Sequence, residues 1–197
     1  MGDWGFGSNE ETFRALVAAY AQKHRHYHTA EHIDACLVHF DRCVSQMDNP
    51  REVELALWFH DAVYCPYAGD SELKSARCAV SFLLGNGAGA DVVDRVKRLI
   101  MATEHALPPQ SKDESILVDI DLSVLGSDSK TYEVFENAVR KEYRFVPGFL
   151  YNRKRAAVLQ GFLRRACIYG NEPFIAEREE RARANLSGVV SDLLRRN

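Results

Sequence analysis

The 197 residues, 46 % of them hydrophobic and with a net charge of −3, predict one domain over residues 1–197 that buries a core without disulfides. Basic and acidic residues are mixed along most of the chain, and no apolar run approaches the roughly 20 residues that span a bilayer, which disfavours nucleic acid and membranes as partners. Five cysteines without a CxxC pair, and an N-terminus without signal-peptide features, predict reduced thiols and a cytoplasmic location.

Apolar residues recur at helical spacing through the first half of the chain, with short loops between the helical stretches. Ser8 and Glu11 form a candidate capping box for the first helix, and Thr29 can cap the second. Asn49 followed by Pro50 marks the start of the third helix, because proline is favoured at the first helical position. The helices predicted in this half are 8–23, 29–47, 52–61, 70–85 and 91–104.

The second half of the chain is also predicted to be helical. The segment 116–125 fits a short helix or a strand, and we favour a helix because the rest of the chain offers no partner strands. Pro147-Gly148 and Gly170-Asn171 separate the last helices. The helices predicted here are 116–125, 129–144, 151–169 and 173–196. The fold class predicted from the whole pattern is all-α, a single helical bundle.

Histidines and carboxylates concentrate in three segments of the chain. They are His28 and His32 within 27–32, the adjacent pair His60 and Asp61, and the acidic residues Asp119 and Asp121. Two imidazoles with two carboxylates suit a divalent ion such as Mn, Fe, Co, Ni, Zn or Mg. A single histidine is more often a surface or core residue. The order of an HxxxH segment, an HD pair and a late aspartate nevertheless favours a metal-dependent hydrolase.

The spacing within each segment decides how its residues can share an ion. If the second helix begins near His28, then His28 and His32 stand one turn apart on one side of that helix. Adjacent helical residues diverge by roughly 100°. His60 and Asp61 can therefore converge on one ion only where a helix ends, and a loop directly after Asp61 meets that requirement.

The segment from His28 to His32 also matches HxxEH, the signature of zinc proteases in which both histidines bind zinc and the glutamate is the general base. A pattern with two free positions recurs by chance. Such proteases also need a further acidic ligand and a larger α/β scaffold, which an all-helical chain of this length does not provide. We therefore disfavour the protease interpretation and expect Glu31 to be solvated or to lie beside the ligands.

The three segments resemble those of the HD-domain metal-dependent phosphohydrolase superfamily. Within it, the chain is similar to a small bacterial group with YHxxxH, FHDxxY and DxDLxxLG segments, here at 27–32, 59–64 and 119–126. The resemblance extends over most of the chain, including 182–186, and implies an HD-type helical bundle that hydrolyses a phosphate ester. It also implies four metal ligands. These are His32, His60, Asp61 and Asp121.

Two details of the resemblance concern single residues. Asp119 and Asp121 are both candidates for the fourth ligand, and the family segment favours Asp121 and leaves Asp119 beside the ligands. The first segment is also similar to the start of the cyclic-nucleotide phosphodiesterase site, where YHNxxH supplies a histidine that faces the substrate. That similarity implies His28 as the general acid, although Thr29 stands in place of the asparagine.

Other residues near these segments are candidates for supporting roles. A divalent ion polarises a phosphoryl oxygen and acidifies a bound water, and a second ion could share the carboxylate of Asp61 or Asp121. Glu72 and His105 are candidates near a second ion, with helix-end roles as the alternative. Arg25 and Lys74 are predicted to bind the phosphate, since phosphate oxygens need cationic partners. Aromatic residues that could stack a base or line the pocket are Tyr64, Tyr67 and Tyr143.

The function predicted from these features is hydrolysis of a phosphomonoester or phosphodiester, of a nucleotide or a related small metabolite, with His28 and Asp61 as catalytic residues. No nucleic-acid or membrane partner is expected, and self-association is left open. Two alternatives remain: a di-iron oxygenase of the same fold, for which His105 is the evident extra ligand, and a non-catalytic module that binds metal or nucleotide.

Overall fold

A computed structural model describes residues 9–196, which form nine α-helices and contain no strand within that range. The prediction of an all-α fold is confirmed. The chain divides into two compact units, one up to Ile120 and one from Asp121 onward. The single domain expected over 1–197 stays a prediction. Among the described helices, none combines the length and the apolar character needed to cross a membrane.

The first unit is built from six helices connected by short loops. They are α1 Glu10–Tyr20, α2 Ala30–Cys43, α3 Pro50–Phe59, α4 Ser71–Gly85, α5 Ala90–Ala102 and α6 Lys112–Asp121, whose last residue begins the second unit. Helix α3 is its centre, because α3 packs against α2, α4 and α5 and is buried on most of its surface. The continuous apolar run at 55–59, which includes Leu57 and Phe59, explains this position, since a helical segment that is apolar on every side belongs in the core.

The ends of α2 and α3 determine where the candidate ligands lie. Helix α2 begins at Ala30, preceded by Thr29 in an extended conformation, so Thr29 occupies the predicted N-cap position, although its side chain makes no cap hydrogen bond. Helix α3 begins at Pro50, the residue that marks its start in the sequence although the predicted range was 52–61, and ends at Phe59, two residues earlier than expected. His60 and Asp61 consequently follow the helix in a turn. Ser8, half of the predicted capping box of α1, lies outside the described residues.

The loop before α3 is held by a side chain from α6. Asp113 accepts hydrogen bonds from the backbone N–H groups of Asp48 and Asn49, at 2.8 and 2.9 Å, and from the side-chain amide of Asn49 at 3.1 Å. The side chain of Asn49 makes no cap bond to α3 itself. A buried carboxylate that accepts three N–H groups anchors the entry to the helix that carries the His-Asp pair.

The second unit consists of a 3-10 helix, Leu122–Gly126, followed by α7 Ser129–Glu142, α8 Gly148–Leu163 and α9 Phe174–Arg195. Helix α9 packs against α8 and against the 3-10 helix. Gly126 is required at that contact, because a Cβ there would stand 2.5 Å from the Cβ of Arg178 and 2.7 Å from its carbonyl oxygen.

The segment 116–125, which fitted either a helix or a strand, is helical. Its first part belongs to α6 and its second part to the tighter 3-10 helix.

Candidate metal centre

The turn after α3 presents the His60 ring in one defined orientation. His60 is buried, with 2 % of its surface exposed, and its Nδ1 lies 2.8 Å from the carbonyl oxygen of Leu57. Because a carbonyl oxygen only accepts, Nδ1 carries the proton and donates it in this contact. The Nε2 atom is then left with a lone pair, which is the arrangement that orients metal-binding histidines in proteins.

His32, His60 and Asp61 bring three ligand atoms together. The Nε2 atoms of His32 and His60 are 3.2 Å apart, and Oδ2 of Asp61 lies 3.1 Å from the His60 Nε2 and 3.7 Å from the His32 Nε2. All three atoms lie within 4.8 Å of one another. Ligand atoms at about 2.0 to 2.2 Å from one ion would be roughly 3 to 3.5 Å apart. The three side chains therefore fit a divalent cation.

The environment of Asp61 favours its anionic form. Its side chain is 15 % exposed. Burial by itself would raise the pKa of the carboxyl, but the charges that His60, His28 and His32 carry when their rings are protonated, together with a hydrogen bond from the protonated His60 ring, hold that pKa well below its usual value. A carboxylate that is ionised at neutral pH is the form that binds a metal ion.

His28 lies close to this cluster but is not part of it. It precedes α2, which begins at Ala30, so the condition that would place His28 and His32 on one face of a helix is not met. The two ring centroids are 6.1 Å apart in an edge-to-face arrangement. The His28 ring instead stacks on Tyr64, with centroids 4.0 Å apart and the planes 26° from parallel. His28 thus faces the cluster region from a loop, oriented by an aromatic neighbour.

Comparisons with known proteins identify no relative of this chain. No family model, curated protein or solved structure matches the chain. The similarity to HD-domain proteins stays an interpretation of the segments 27–32, 59–64 and 119–126. Two of those segments meet in the first unit, because His32 comes from the first and His60 and Asp61 from the second.

Arg25 occupies a different environment from the one predicted for a phosphate-binding residue. It is buried, with 5 % of its surface exposed. Its guanidinium donates to the backbone carbonyls of Asp61, Ala62 and His28 at 2.7, 3.1 and 3.2 Å. Lys74, the other predicted phosphate-binding residue, lies on α4 with a half-exposed side chain and pairs with Asp70 one turn away at 2.9 Å.

The two residues considered for a second ion lie near helix ends. Glu72 is half-buried in the first turn of α4. Burial raises its pKa, and the negative charges of Asp61 and Glu104 raise that pKa further, so Glu72 and Asp61 share an electrostatic neighbourhood. His105 follows α5 in a left-handed conformation with φ of 56°.

The two aspartates proposed as the fourth ligand fall on either side of the division between the units. Asp119 belongs to the first unit, is 1 % exposed and does not join the cluster of His32, His60 and Asp61. Asp121 is half-buried and begins the second unit. Its role as a ligand stays a prediction.

The remaining aromatic candidates are not grouped together. Tyr64 is stacked by His28, and His24 lies parallel to it with centroids 6.3 Å apart. Tyr67 is exposed in the loop before α4, and Tyr143 follows α7 in the second unit, 5.9 Å from Tyr151. A base-stacking role therefore stays a prediction for all three tyrosines.

Sequence analysis missed two neighbours of the ligands. Cys36 is buried one turn after His32 on α2, and its Sγ lies 3.8 Å from both ring nitrogens of His32. The HxxxC spacing on a helix was the available signal. The second is Tyr27, the first residue of the YHxxxH segment, whose ring centroid lies 4.8 Å from that of His32 and 5.0 Å from that of His28.

Proposed function

We propose that this protein is a metal-dependent phosphohydrolase of the HD-domain type, acting on a phosphate ester of a nucleotide or related small metabolite. The observation that carries the proposal is the convergence of three ligand atoms, from His32, His60 and Asp61, within 4.8 Å. Two imidazoles and a carboxylate suit Mn, Fe, Co, Ni or Zn. The fourth ligand, Asp121, is proposed from the resemblance.

The chemistry divides between the cation and the side chains around it. A divalent ion held by these residues supplies Lewis-acid activation of the phosphoryl group and of the attacking water. Asp61 contributes negative charge to the site, and the carbonyl of Leu57 holds the His60 ring in position. Hydrolysis then forms a bond from the water oxygen to phosphorus and breaks the bond from phosphorus to the leaving oxygen.

His28 is the proposed proton donor to the leaving oxygen. Its ring lies outside the ligand cluster but within 6.1 Å of the His32 ring, centroid to centroid, so it can approach a substrate without binding the same ion. Stacking on Tyr64 limits the orientations of the imidazole. General acid catalysis of this kind contributes roughly 10² to 10⁴ in rate.

The position of Glu31 disfavours the zinc-protease alternative. That alternative needs His28 and His32 as ligands of one ion, with Glu31 beside them as the base. Among the described residues, His28 lies outside the ligand cluster that contains His32. Glu31 is exposed in the first turn of α2.

Metal analysis of the purified protein tests the proposal, followed by phosphate release from nucleoside monophosphates and cyclic nucleotides with Mn²⁺, Co²⁺, Ni²⁺ or Mg²⁺ added. We expect bound metal and turnover in the unaltered protein, and loss of both in His32→Ala. The matched control is His26→Ala, which removes an exposed histidine from the loop before α2. Bound metal without turnover on any ester would favour the non-catalytic module, and failure to bind metal would contradict the proposal.

A further inference from the structure

Arg25 is a buried cation in a short loop between α1 and α2. A buried charge is costly unless hydrogen bonds replace its hydration. Here Nη1 donates to the carbonyls of Asp61 and His28, Nη2 to the carbonyl of Ala62, and Nε to the side-chain oxygen of Gln22. The guanidinium is thus engaged with acceptors of the protein.

Two aromatic rings complete the surroundings of this guanidinium. Its central carbon lies 5.2 Å from the ring centroid of Tyr20 and 5.6 Å from that of Tyr64, both within the range of cation–π attraction. Tyr64 is the ring on which His28 stacks. Arg25 therefore contacts the backbone of His28 and also the aromatic ring that orients the His28 side chain.

The hydrogen bonds of Arg25 leave too few N–H groups to hold a phosphate in the usual way. A guanidinium has five N–H groups, and four of those of Arg25 take part in the bonds to Gln22, His28, Asp61 and Ala62. Bidentate binding of a phosphate by arginine needs two parallel N–H groups. The phosphate-binding role expected for Arg25 from the sequence would require these bonds to break.

The carbonyls that Arg25 holds belong to the turn that forms the metal centre. Asp61 and Ala62 directly follow α3, where carbonyl groups lack the helical partners they would have further inside a helix. The conformation of this turn allows His60 and Asp61 to point at one ion. One nitrogen, Nη1, bonds to the carbonyls of both Asp61 and His28, and so links the two chain segments that supply the proposed chemistry.

We infer that Arg25 is a positioning residue for the proposed metal centre: it holds the turn at 61–62 so that Asp61 meets His32 and His60, and it ties His28 to the same turn. The inference rests on the proposed function. A lysine at this position would keep the charge but lose the planar fork that reaches three carbonyls from one group. Metal affinity should therefore depend on the guanidinium and not on the charge alone.

The test measures Mn²⁺ affinity by isothermal titration calorimetry for the unaltered protein, Arg25→Lys and Arg25→Gln, with helicity checked by circular dichroism. Residues that support metal ligands typically contribute 10- to 100-fold to affinity, so we expect a loss of roughly that size in both variants. Phosphate release at saturating Mn²⁺ should also fall, because His28 loses its link to the turn.

A matched control is available in the second unit. Arg183 also donates hydrogen bonds to three backbone carbonyls, those of Leu163, Arg165 and Ala166, at 3.2, 2.9 and 2.8 Å. Arg183→Lys removes the same kind of hydrogen bonding from a residue outside the proposed centre, so it should lower thermal stability and keep Mn²⁺ affinity. An equal loss of affinity in Arg183→Lys and Arg25→Lys would overturn the inference, because both would then act through general stability.

Hydrogen exchange of the unaltered protein covers the case in which the Arg25 variants do not fold. If Arg25 couples the two segments, adding Mn²⁺ should slow amide exchange at 22–28 as well as at 59–64, because coupling is reciprocal. Protection confined to 59–64 would overturn the inference. An unaltered protein that binds no Mn²⁺ or other metal would refute the proposed function as well. Normal metal binding with unchanged affinity in both Arg25 variants would refute only the role of Arg25.

Discussion

The two units of this protein place their polar side chains in different kinds of cluster. All seven histidines lie between residues 24 and 105, and the sequence from 121 to 197 contains none. In the first unit, His32, His60 and Asp61 converge at distances that suit an ion. In the second, the half-buried side chains of Arg155 and Glu136 form a direct ion pair at 2.6 Å. A cluster that fits a cation and one that neutralises itself can thus be told apart by geometry.

The same contrast appears in the way each unit uses arginine. Arg25 and Arg183 each donate to three backbone carbonyls, and such bonds tie down segments that follow a helix. The segment held by Arg25 contains Asp61, a proposed ligand. The segment held by Arg183 is the end of α8 and the loop that follows it. An arginine of this kind can therefore influence the proposed site only if the carbonyls it binds belong to residues of that site.

Removing a proposed metal ligand should have the largest effect. We expect His32→Ala, His60→Ala, Asp61→Ala and Asp121→Ala each to lose bound metal and phosphate release, because an ion with one ligand fewer is incompletely coordinated. Asp119→Ala should lose much less. Elemental analysis after gel filtration measures the metal, and circular dichroism verifies folding. Metal that survives in Asp121→Ala but disappears in Asp119→Ala would assign the fourth ligand to the other carboxylate.

Replacing His28 should separate catalysis from metal binding. We expect His28→Ala to keep its metal and to lose roughly 10² to 10⁴ in turnover, because the leaving oxygen is no longer protonated. The deficit should be smaller for nitrophenyl esters, whose leaving group needs no proton. Glu31→Gln is the companion variant and should behave like the unaltered protein. A His28→Ala protein without metal, together with an inactive Glu31→Gln, would instead favour the zinc-protease interpretation.

Chelation should abolish activity and change helicity only modestly. The buried apolar residues of the first unit, such as Leu57, Leu83 and Ile100, form a core that does not need an ion to hold it together. Circular dichroism before and after addition of a chelator, with activity measured on the same sample, compares the two effects. Complete loss of the helical signal would show that the ion is a structural element.

Removing the hydroxyl group should change the free energy of unfolding differently at two tyrosines of the second unit. Tyr132 donates to Glu136 at 2.9 Å, so Tyr132→Phe should lower the free energy of unfolding by about 1 kcal/mol. The hydroxyl of Tyr151 is buried and has no hydrogen-bond partner among the described residues, so Tyr151→Phe should leave stability unchanged or raise it slightly. Urea unfolding measures the free energy of unfolding of both variants. If Tyr151→Phe lowered that free energy as much as Tyr132→Phe, the Tyr151 hydroxyl would have to make a stabilising hydrogen bond.

The second unit should also show a small, specific sensitivity to alkali. Burial raises the pKa of Tyr151 from 10.0 to about 12, with the charge of Glu136 adding to the effect and those of Arg155 and Arg140 opposing it. The folded protein keeps this proton at pH values where the unfolded chain releases it. The corresponding stability is complete below pH 10 and is lost as the pH rises towards 12. Stability measured across this window should fall less steeply in Tyr151→Phe, and equal slopes would argue against the raised pKa.

Much of the helical architecture could be predicted from local pattern. Pro50 marked the start of α3 and Thr29 the residue before α2, because capping and proline preferences act within one turn of a helix. The requirement that His60 and Asp61 follow a helix end was likewise a local argument from the angle between adjacent residues. Helix ends were less well predicted, since α3 ends two residues early and α2 gives way to a 3-10 helix at Val44.

The contacts around the candidate centre could not be obtained in that way. The Nε2 atoms of His32 and His60 meet across 28 positions of sequence, and Arg25 reaches Asp61 across 36. Such distances follow from how α2 and α3 pack, and no local preference encodes them. The sequence contained the side chains able to bind an ion, but the burial of Arg25 against the turn at 61–62 arose only once the helices were packed together. For that reason Arg25 is found donating to backbone carbonyls of the proposed metal centre, while the phosphate-binding role expected from the sequence stays a prediction.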